Sequence, residues 1–416
     1  MAKIVIIGGG FGGVYAAKEL LKRLDNKKDT VVLINQTNYF LFTPMLHEIA
    51  TGGISLQHIA EPIRKEIRNK NFNFVEDKVK TIDFNKKMIV VEKSRQISYD
   101  YLVIAVGGKT NFFNIPGAEQ FCYQLKDLHQ AFDIRNKIIE QIETAERDGN
   151  LDHNLSFAII GGGPTGVEIA GEIVEFADQI KENCPNIKEK TTEIYLVQRN
   201  SRLLPMLHEK CSEKVTKELN RKGVTVLTNC SVTRVFKDGF EIIETNQRDA
   251  KKSKKRIILA AMVIWTSGVV SNQVAITPKL PDKEGSIEID TYLRVKGRKK
   301  EFAIGDCAYC IDGNGNKVPW LAQAAIKQAK TCAENIVNDI NNKPLKKFVF
   351  KSSGLLVSVG RRYAVAEMGS LRFKGFFAWW LWRTIYLSKL LGIENKIRVA
   401  YEWTLDLFFK RDTTKI

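Results

Sequence analysis

Cysteine is sparse in this 416-residue chain and almost never closely spaced. The seven residues are scattered, and Cys307-x-x-Cys310 is the one close pair. No second pair completes a zinc or iron–sulfur set. An odd count without a signal peptide points to a reducing compartment. No run reaches about 18 uncharged apolar residues, so no transmembrane helix is expected. The first strand pattern begins at Lys3, which leaves no room for a secretory or transit segment. There is no repeat of solenoid period. Acidic residues are in deficit, 47 against 64 basic, giving a net charge of +17. Residues 343–416 carry 15 Lys/Arg and 5 Asp/Glu, a net of +10, so most of the excess is local. A uniformly basic surface would suggest nucleic acid. A basic tail rich in aromatics points to a membrane surface instead, and no nucleic-acid partner is expected.

What is present is one glycine signature, twice. The first is Ile4-Val5-Ile6-Ile7-Gly8-Gly9-Gly10-Phe11-Gly12-Gly13. The second is Phe157-Ala158-Ile159-Ile160-Gly161-Gly162-Gly163-Pro164-Thr165-Gly166. Each is an apolar run, a G-x-G-x-x-G turn and a helical pattern. Gly8 and Gly161 make the strand-to-helix turn, and Gly10 and Gly163 let backbone approach a pyrophosphate. Gly13 and Gly166 let helix and strand pack closely. The pyrophosphate rests on the helix N-terminus. Two such units predict two bound dinucleotides, most simply a flavin and a nicotinamide.

The coarse pattern is α/β. Helices are expected at Gly13–Leu24, Gln57–Arg68, Leu125–Arg147, Gly166–Ile180 and Glu209–Lys222. Strands are expected at Thr30–Ile34, Tyr101–Val106, Glu193–Val197, Thr225–Leu227, Ala261–Thr266 and Phe302–Ile304, with paired strands in Phe72–Lys93. Tyr39–Ile54 reads as a loop, and Arg248–Arg256, with six basic residues, as a solvated turn. One nucleotide domain is inserted into the other, and the last 70 or so residues read as a separate unit.

An acid often ends the second strand of a dinucleotide unit and binds a ribose. Here the first unit ends in Asn35, which can still hydrogen-bond a ribose, and the second in Gln198-Arg199. Gln198 does not repel a 2′-phosphate, and Arg199 either pairs with one or is an ordinary surface residue, so NADPH use stays open. Gly305-Asp306 follows a returning strand, where Asp306 can meet a flavin ribityl hydroxyl or cap the next turn. Glu168 and Glu172 share a helix face. Glu172, among small and apolar neighbours, either faces a crevice with a raised pKa or is a solvated helix residue. Cys307 and Cys310 are structural thiols or a redox pair, but no C-x-x-x-x-C follows the first strands. Four of six tryptophans lie at 379, 380, 382 and 403. Arg398, Glu402 and Asp406 form one polar stripe, with Val399, Ala400, Trp403, Leu407 and Phe408 opposite. Tryptophan beside Lys/Arg suits a headgroup boundary. The alternative is a core or dimer face.

Taken together these residues resemble the type II NADH dehydrogenases nearly end to end. The resemblance is carried by Gly8–Gly13, Phe42-Thr43-Pro44, Tyr99–Gly107 with Lys109-Thr110-Asn111, and Ile115-Pro116-Gly117. It continues through Gly161–Glu172, Trp265–Val269, Ala303–Ala308 and Ala322-Gln323-Ala324-Ala325-x-x-Gln328 to a C-terminal helix pair. It implies non-covalent FAD on Gly8, Gly10, Phe11, Gly13, Asn35, Thr43, Ala105, Gly107, Gly305, Asp306 and Ala322. It implies NAD(P)H on Gly161, Gly163, Pro164, Thr165, Gly166, Gln198, Arg199, Ser267 and Gly268. Glu172 matches the family's carboxylate near nicotinamide and flavin, and Gln323 the residue at the quinone end of the ring. The family commonly has Gln where this chain has Lys327, beside the expected quinone tunnel. Val106 stands for a usual Thr, and Gln198 for a common Glu.

The expected architecture is two Rossmann-like domains of glutathione-reductase-like type plus an amphipathic docking unit. Residues 1–115 and 276–345 form the FAD domain, 116–275 the inserted NAD(P)H domain and 346–416 the membrane-anchoring unit. The expected activity is NAD(P)H:quinone oxidoreduction without ion pumping. The protein is expected as a homodimer on an anionic membrane surface, peripheral at the cytoplasmic face. The rivals are a sulfide:quinone reductase-like flavoprotein and a non-catalytic nucleotide sensor.

Overall fold

The computed structural model describes residues 1–24, 29–93, 95–149, 155–244 and 254–415. They form two compact units, one of residues 1–41, 60–109 and 269–353, the other of 42–59, 110–268 and 354–416.

The first unit is built on a five-stranded parallel sheet. Its order is Glu301–Ala303, Tyr101–Ile104, Lys3–Ile7, Thr30–Asn35 and Phe72–Glu76. Ile4, Val5 and Ile6 are fully buried, as a strand covered on both faces requires. The helix Phe11–Arg23 leaves the central strand through the first glycine turn, and Ala322–Ile340 packs against it. A second, four-stranded sheet joins Ala275–Thr277, Val79–Asp83, Met88–Val91 and Gln96–Ser98.

The second unit repeats the plan. Its parallel order is Cys122–Gln124, Met262–Trp265, Ser156–Ile160, Glu193–Val197 and Val224–Leu227. Pro164–Lys181 is the glycine-turn helix. Leu128–Asp148 begins at Asp127, whose carboxylate accepts the Gln130 N–H at 2.9 Å. The C-terminal part adds an antiparallel sheet of Leu355–Ser358, Ala364–Met368 and Leu371–Lys374, then helices Gly375–Lys389 and Ile393–Phe408.

Three local expectations are corrected. Residues 57–68 are not one helix: a single turn ends at Ile59, Ala60–Pro62 is a strand paired with Tyr39–Leu41, and only Ile63–Glu66 is helical. Pro62 lacks an N–H and turns Glu61 away from helical geometry. The stretch 39–54 is not simply a loop, for it also holds a turn at Thr43–Met45 and the short helix Leu46–Ile49. In the basic connection, residues 248–253 lie outside the described residues, while Lys254–Leu259 is a strand rather than a turn. By contact, residues 354–416 cluster with 110–268. No described helix is long and apolar enough to cross a membrane.

Candidate functional site

The two glycine turns have matching geometry. Gly8 has φ +105° and Gly161 φ +119°, values that favour glycine. A Cβ on Gly13 would sit 1.8 Å from the Gly8 carbonyl, and one on Gly166 at 1.8 Å from the Gly161 carbonyl. Nothing among the described residues lies within 4 Å of a Cβ on Gly10 or Gly163. Each turn thus leaves an opening at the middle glycine, and no described side chain caps either helix. Bare N–H groups at the positive end of a helix dipole suit a pyrophosphate. Both cradles fit a dinucleotide.

In the first unit, Asn35 Oδ1 accepts the Gly9 N–H at 2.7 Å and its Nδ2 donates to the Thr37 carbonyl at 2.8 Å. Its side chain braces the turn. Asn272 does the same for the strand end after Ala105, donating to the Val106 carbonyl at 2.8 Å. Gly305 has φ +75° and donates its N–H to Gln328 Oε1 at 2.7 Å. This brings Gly305 and Asp306 against the first turns of Ala322–Ile340, where they line one recess with Trp320, Leu321, Ala325 and Gln328. Gln323 Oε1 accepts the Ser353 N–H at 2.9 Å. Lys327 Nζ bonds the Lys351 carbonyl and lies 5.6 Å from the centre of the Phe350 ring. Gly107, like Gly10, is open around its Cβ position. Asn272 was not named from sequence, and Gln328 was quoted there only as the end of the Ala322–Gln328 motif, without a role.

In the second unit, Gln198 is buried and its Oε1 accepts the Gly162 N–H at 3.1 Å, the counterpart of Asn35. Arg199 and Thr165 are exposed. Thr266 Oγ1 reaches the carbonyls of Ile160 and Gly161, and the Ser267 carbonyl accepts Trp265 Nε1–H at 2.7 Å. Gly268 has φ +74° and abuts the Phe113 ring. Thr43 falls in this unit and is exposed.

Glu172 differs from both sequence readings. It is buried rather than solvated, and its carboxyl is held below the ordinary value rather than above it. Burial alone pushes it up, but Arg411, then His47 and Arg383, outweigh that push. Arg411 Nη1 lies 2.6 Å from Glu172 Oε2, and Arg411 Nε lies 3.1 Å from Asp406 Oδ1. Asp406 also takes Arg361 at 3.3 Å and Arg383 at 3.5 Å. Beside these, Glu48 is pushed by burial up to about 7, opposed by Arg383, while Trp403 Nε1 donates to it at 2.6 Å. Burial lifts Glu168 well above a normal carboxyl and drops His47 to about 4. Of this cluster, Glu168 and Glu172 were singled out in sequence on the glycine-turn helix, and Trp403 and Asp406 only as members of the last helix's two faces. Its other members are separated too widely along the chain to leave a local pattern.

Within the expected polar stripe of the last helix, Asp406 is buried and Glu402 binds His58 at 2.7 Å. Trp379, Trp382 and Trp403 are buried, and Val399 with them. The exposed apolar residues are Phe376, Phe377 and Trp380 on one helix, and Ile393, Ile397, Tyr401 and Phe408 on the other.

Two dinucleotide cradles on duplicated Rossmann units define a flavoprotein oxidoreductase of the two-nucleotide class. Residues 2–329 match the pyridine nucleotide-disulphide oxidoreductase family and residues 353–412 the NDH2 C-terminal domain. The chain is 31% identical to the type II NADH:quinone oxidoreductase Ndh of Mycobacterium tuberculosis, over 98% of this chain and 89% of that protein. It is 31% identical to the Haemophilus influenzae type II NADH:quinone oxidoreductase, covering 96% of each. The solved structure of NDH2 from Plasmodium falciparum in complex with NADH superposes with a TM-score of 0.88 at 25% identity, over the whole of both chains. The chain belongs to the type II NADH dehydrogenase family.

Proposed function

We propose that the protein oxidises NADH and reduces a membrane quinone, using tightly but non-covalently held FAD. The observation that carries this is the pair of glycine cradles in one chain of this family. FAD, when bound, accepts a hydride from the nicotinamide and returns two electrons to quinone. The chain's residues bind and orient. Gly8, Gly10, Phe11 and Gly13 receive the FAD pyrophosphate; Asn35 and Thr43, Ala105 and Gly107, Gly305, Asp306 and Ala322 complete that site. Gly161, Gly163, Pro164, Thr165 and Gly166 receive NADH, with Gln198, Arg199, Ser267 and Gly268 around its ribose and nicotinamide. Glu172 acts as the carboxylate beside the reacting rings, and Gln323 and Lys327 contact the quinone head. As functional modules we keep 1–115 and 276–345 for FAD, 116–275 for NADH and 346–416 for the membrane.

The docking surface in this reading is the exposed aromatic face of Gly375–Lys389 and the apolar face of Ile393–Phe408, held to an anionic surface by neighbouring Lys and Arg. Having two such faces supports a homodimer, one pairing copies while the other meets lipid. Seven free cysteines among the described residues support the reducing, cytoplasmic side. They also weigh against the sulfide:quinone reading. Burial pushes the Cys307 thiol up to about 12 and Cys310 up to about 11, opposite to what an attacking thiolate needs. The deciding experiment is turnover of FAD-loaded protein with NADH, NADPH and sulfide against a short-chain quinone. NADH-driven quinone reduction is expected. Turnover with sulfide alone, or none with NADH, would overturn the proposal.

A further inference from the structure

Arg411 lies beyond the last helix, on a segment with no regular structure, yet its side chain is buried, only 4% exposed. Nη1 donates to Glu172 Oε2 at 2.6 Å and to the Thr51 hydroxyl and carbonyl at 3.2 and 3.3 Å. Nε donates to Asp406 Oδ1 at 3.1 Å. The backbone around it is pinned as well. Gln179 Nε2 donates to the Arg411 carbonyl at 2.6 Å, and the Arg411 N–H donates to Gln179 Oε1 at 3.1 Å. Arg135 Nη2 donates at 2.9 Å to both the carbonyl and the carboxylate of Asp412. The tail is therefore held from two helices, with one guanidinium delivered to one carboxylate.

The surroundings of Glu172 make that delivery consequential. Its own helix adds Glu168 and Glu175, and Leu46–Ile49 adds Glu48 and His47. Gly375–Lys389 contributes Arg383, and Ile393–Phe408 contributes Asp406. Arg383 is already engaged by the Trp403 carbonyl at 3.0 Å and by Asp406. His47 stays neutral near pH 7 because burial drops it to about 4. Without Arg411, Glu172 would be a buried anion among three other glutamates. A group so placed takes up a proton.

We propose that Arg411 is a positioning residue for the NADH:quinone reaction, fixing the charge and the aim of the Glu172 carboxylate so that the extreme C-terminal segment completes a site built on the nucleotide helix. The inference rests on the reading of Glu172 as the carboxylate beside the reacting rings, and the test separates the two.

Full-length FAD-loaded protein is compared with Arg411→Gln, Arg411→Lys, Glu172→Gln and the Arg411→Gln/Glu172→Gln double variant. The infrared carboxyl band that disappears in Glu172→Gln reports Glu172 directly. In Arg411→Gln its titration should move up by about one to three pH units, and in Arg411→Lys by less. Stopped-flow flavin reduction by NADH and reoxidation by a short-chain quinone are followed against pH. The acid limb of the Glu172-dependent half-reaction should move with the band, with a rate loss of about tenfold or more near pH 7. Added to Glu172→Gln, Arg411→Gln should cost no more than about twofold, since coupled residues are not additive. An unmoved band, or a rate loss that keeps its pH limb and adds in the double variant, overturns the proposal. A moved band with both half-reaction rates intact leaves Arg411's hold standing and overturns the reading of Glu172. If Arg411→Gln does not fold, Arg411→Lys decides by the same band: a smaller upward shift supports the proposal, and none overturns it.

Discussion

Gly10 and Gly13 are three residues apart and do different jobs, and substituting each separates fold from cofactor. Ala at Gly13 puts a methyl 1.8 Å from the Gly8 carbonyl, so helix and strand must part. We expect Gly13→Ala to lose about 1–3 kcal/mol of stability and to purify without flavin. Ala at Gly10 meets no described atom within 4 Å. Gly10→Ala should unfold like the parent apoprotein in a thermal melt and still fail to retain FAD. If Gly10→Ala keeps full flavin content, the pyrophosphate does not pass there. Glu48 gives a pH test. Its folded value is raised from 4.5 to about 7, so protonation favours the folded state. That contribution is complete below 4.5 and is lost as pH rises through about 7. Glu48→Gln keeps an acceptor for the Trp403 N–H and removes the buried charge. It should stabilise the protein by up to about 3 kcal/mol near pH 8 and leave it unchanged near pH 4. Urea titrations at the two pH values check this, and equal shifts at both would refute it. Gln198→Glu keeps the contact to the Gly162 N–H and adds a charge that repels a 2′-phosphate. The ratio of NADH to NADPH kcat/KM should rise about tenfold, or about 1.4 kcal/mol. An unchanged ratio would remove Gln198 from the ribose site.

At the scale of elements, the glycine turns were legible because their information is local: strand, turn and helix lie within about 20 residues. The ion pair between Arg411 and Glu172 spans 239 residues and left no trace in any window. The helix expected over 57–68 failed because apolar spacing outvoted Pro62. The tryptophan cluster was read as a headgroup boundary or as a core or dimer face, and the helix Gly375–Lys389 divides it between buried and exposed positions. Trp382 is 1% exposed and stacks on Tyr386 with ring centres 4.5 Å apart, while Trp380 is 52% exposed. Nothing in composition distinguishes neighbours of one type on opposite faces; only the partners do. Trp382→Ser should therefore destabilise by about 3–5 kcal/mol. Trp380→Ser should leave the unfolding midpoint in place and weaken vesicle binding. Co-sedimentation with lipid vesicles alongside a thermal melt separates them, and Trp380→Ser binding as well as the parent would sink the docking face. Deleting residues 374–416 is not a clean alternative. It removes Trp382, Trp403, Asp406 and Arg411 and opens the carboxylate cluster of Glu48, Glu168 and Glu172.

For the whole molecule the question is how much of the basic charge reaches a membrane. Residues 343–416 hold fifteen Lys and Arg, but three of them pair with one buried carboxylate. Arg361, Arg383 and Arg411 all engage Asp406, and Arg383 also lies 3.9 Å from the centre of the Trp379 ring. Their charges belong to the fold. Those that remain near an anionic surface contribute about 1 kcal/mol each, and only within a Debye length. That length is about 10 Å at 0.1 M salt and about 3 Å at 1 M. The exposed apolar residues respond differently, since salt does not screen their burial among acyl chains. Docking should thus have two separable parts. Binding to vesicles with anionic lipid should weaken strongly between 0.1 and 1 M salt, on the order of tenfold or more, and then level off at the affinity for neutral vesicles. That residual should vanish when Phe376, Phe377 and Trp380 are replaced together by Ser, with the salt dependence of the remaining binding retained. Equal affinity for neutral and anionic vesicles at low salt would remove the basic tail from docking. Complete release by salt would remove the aromatic face.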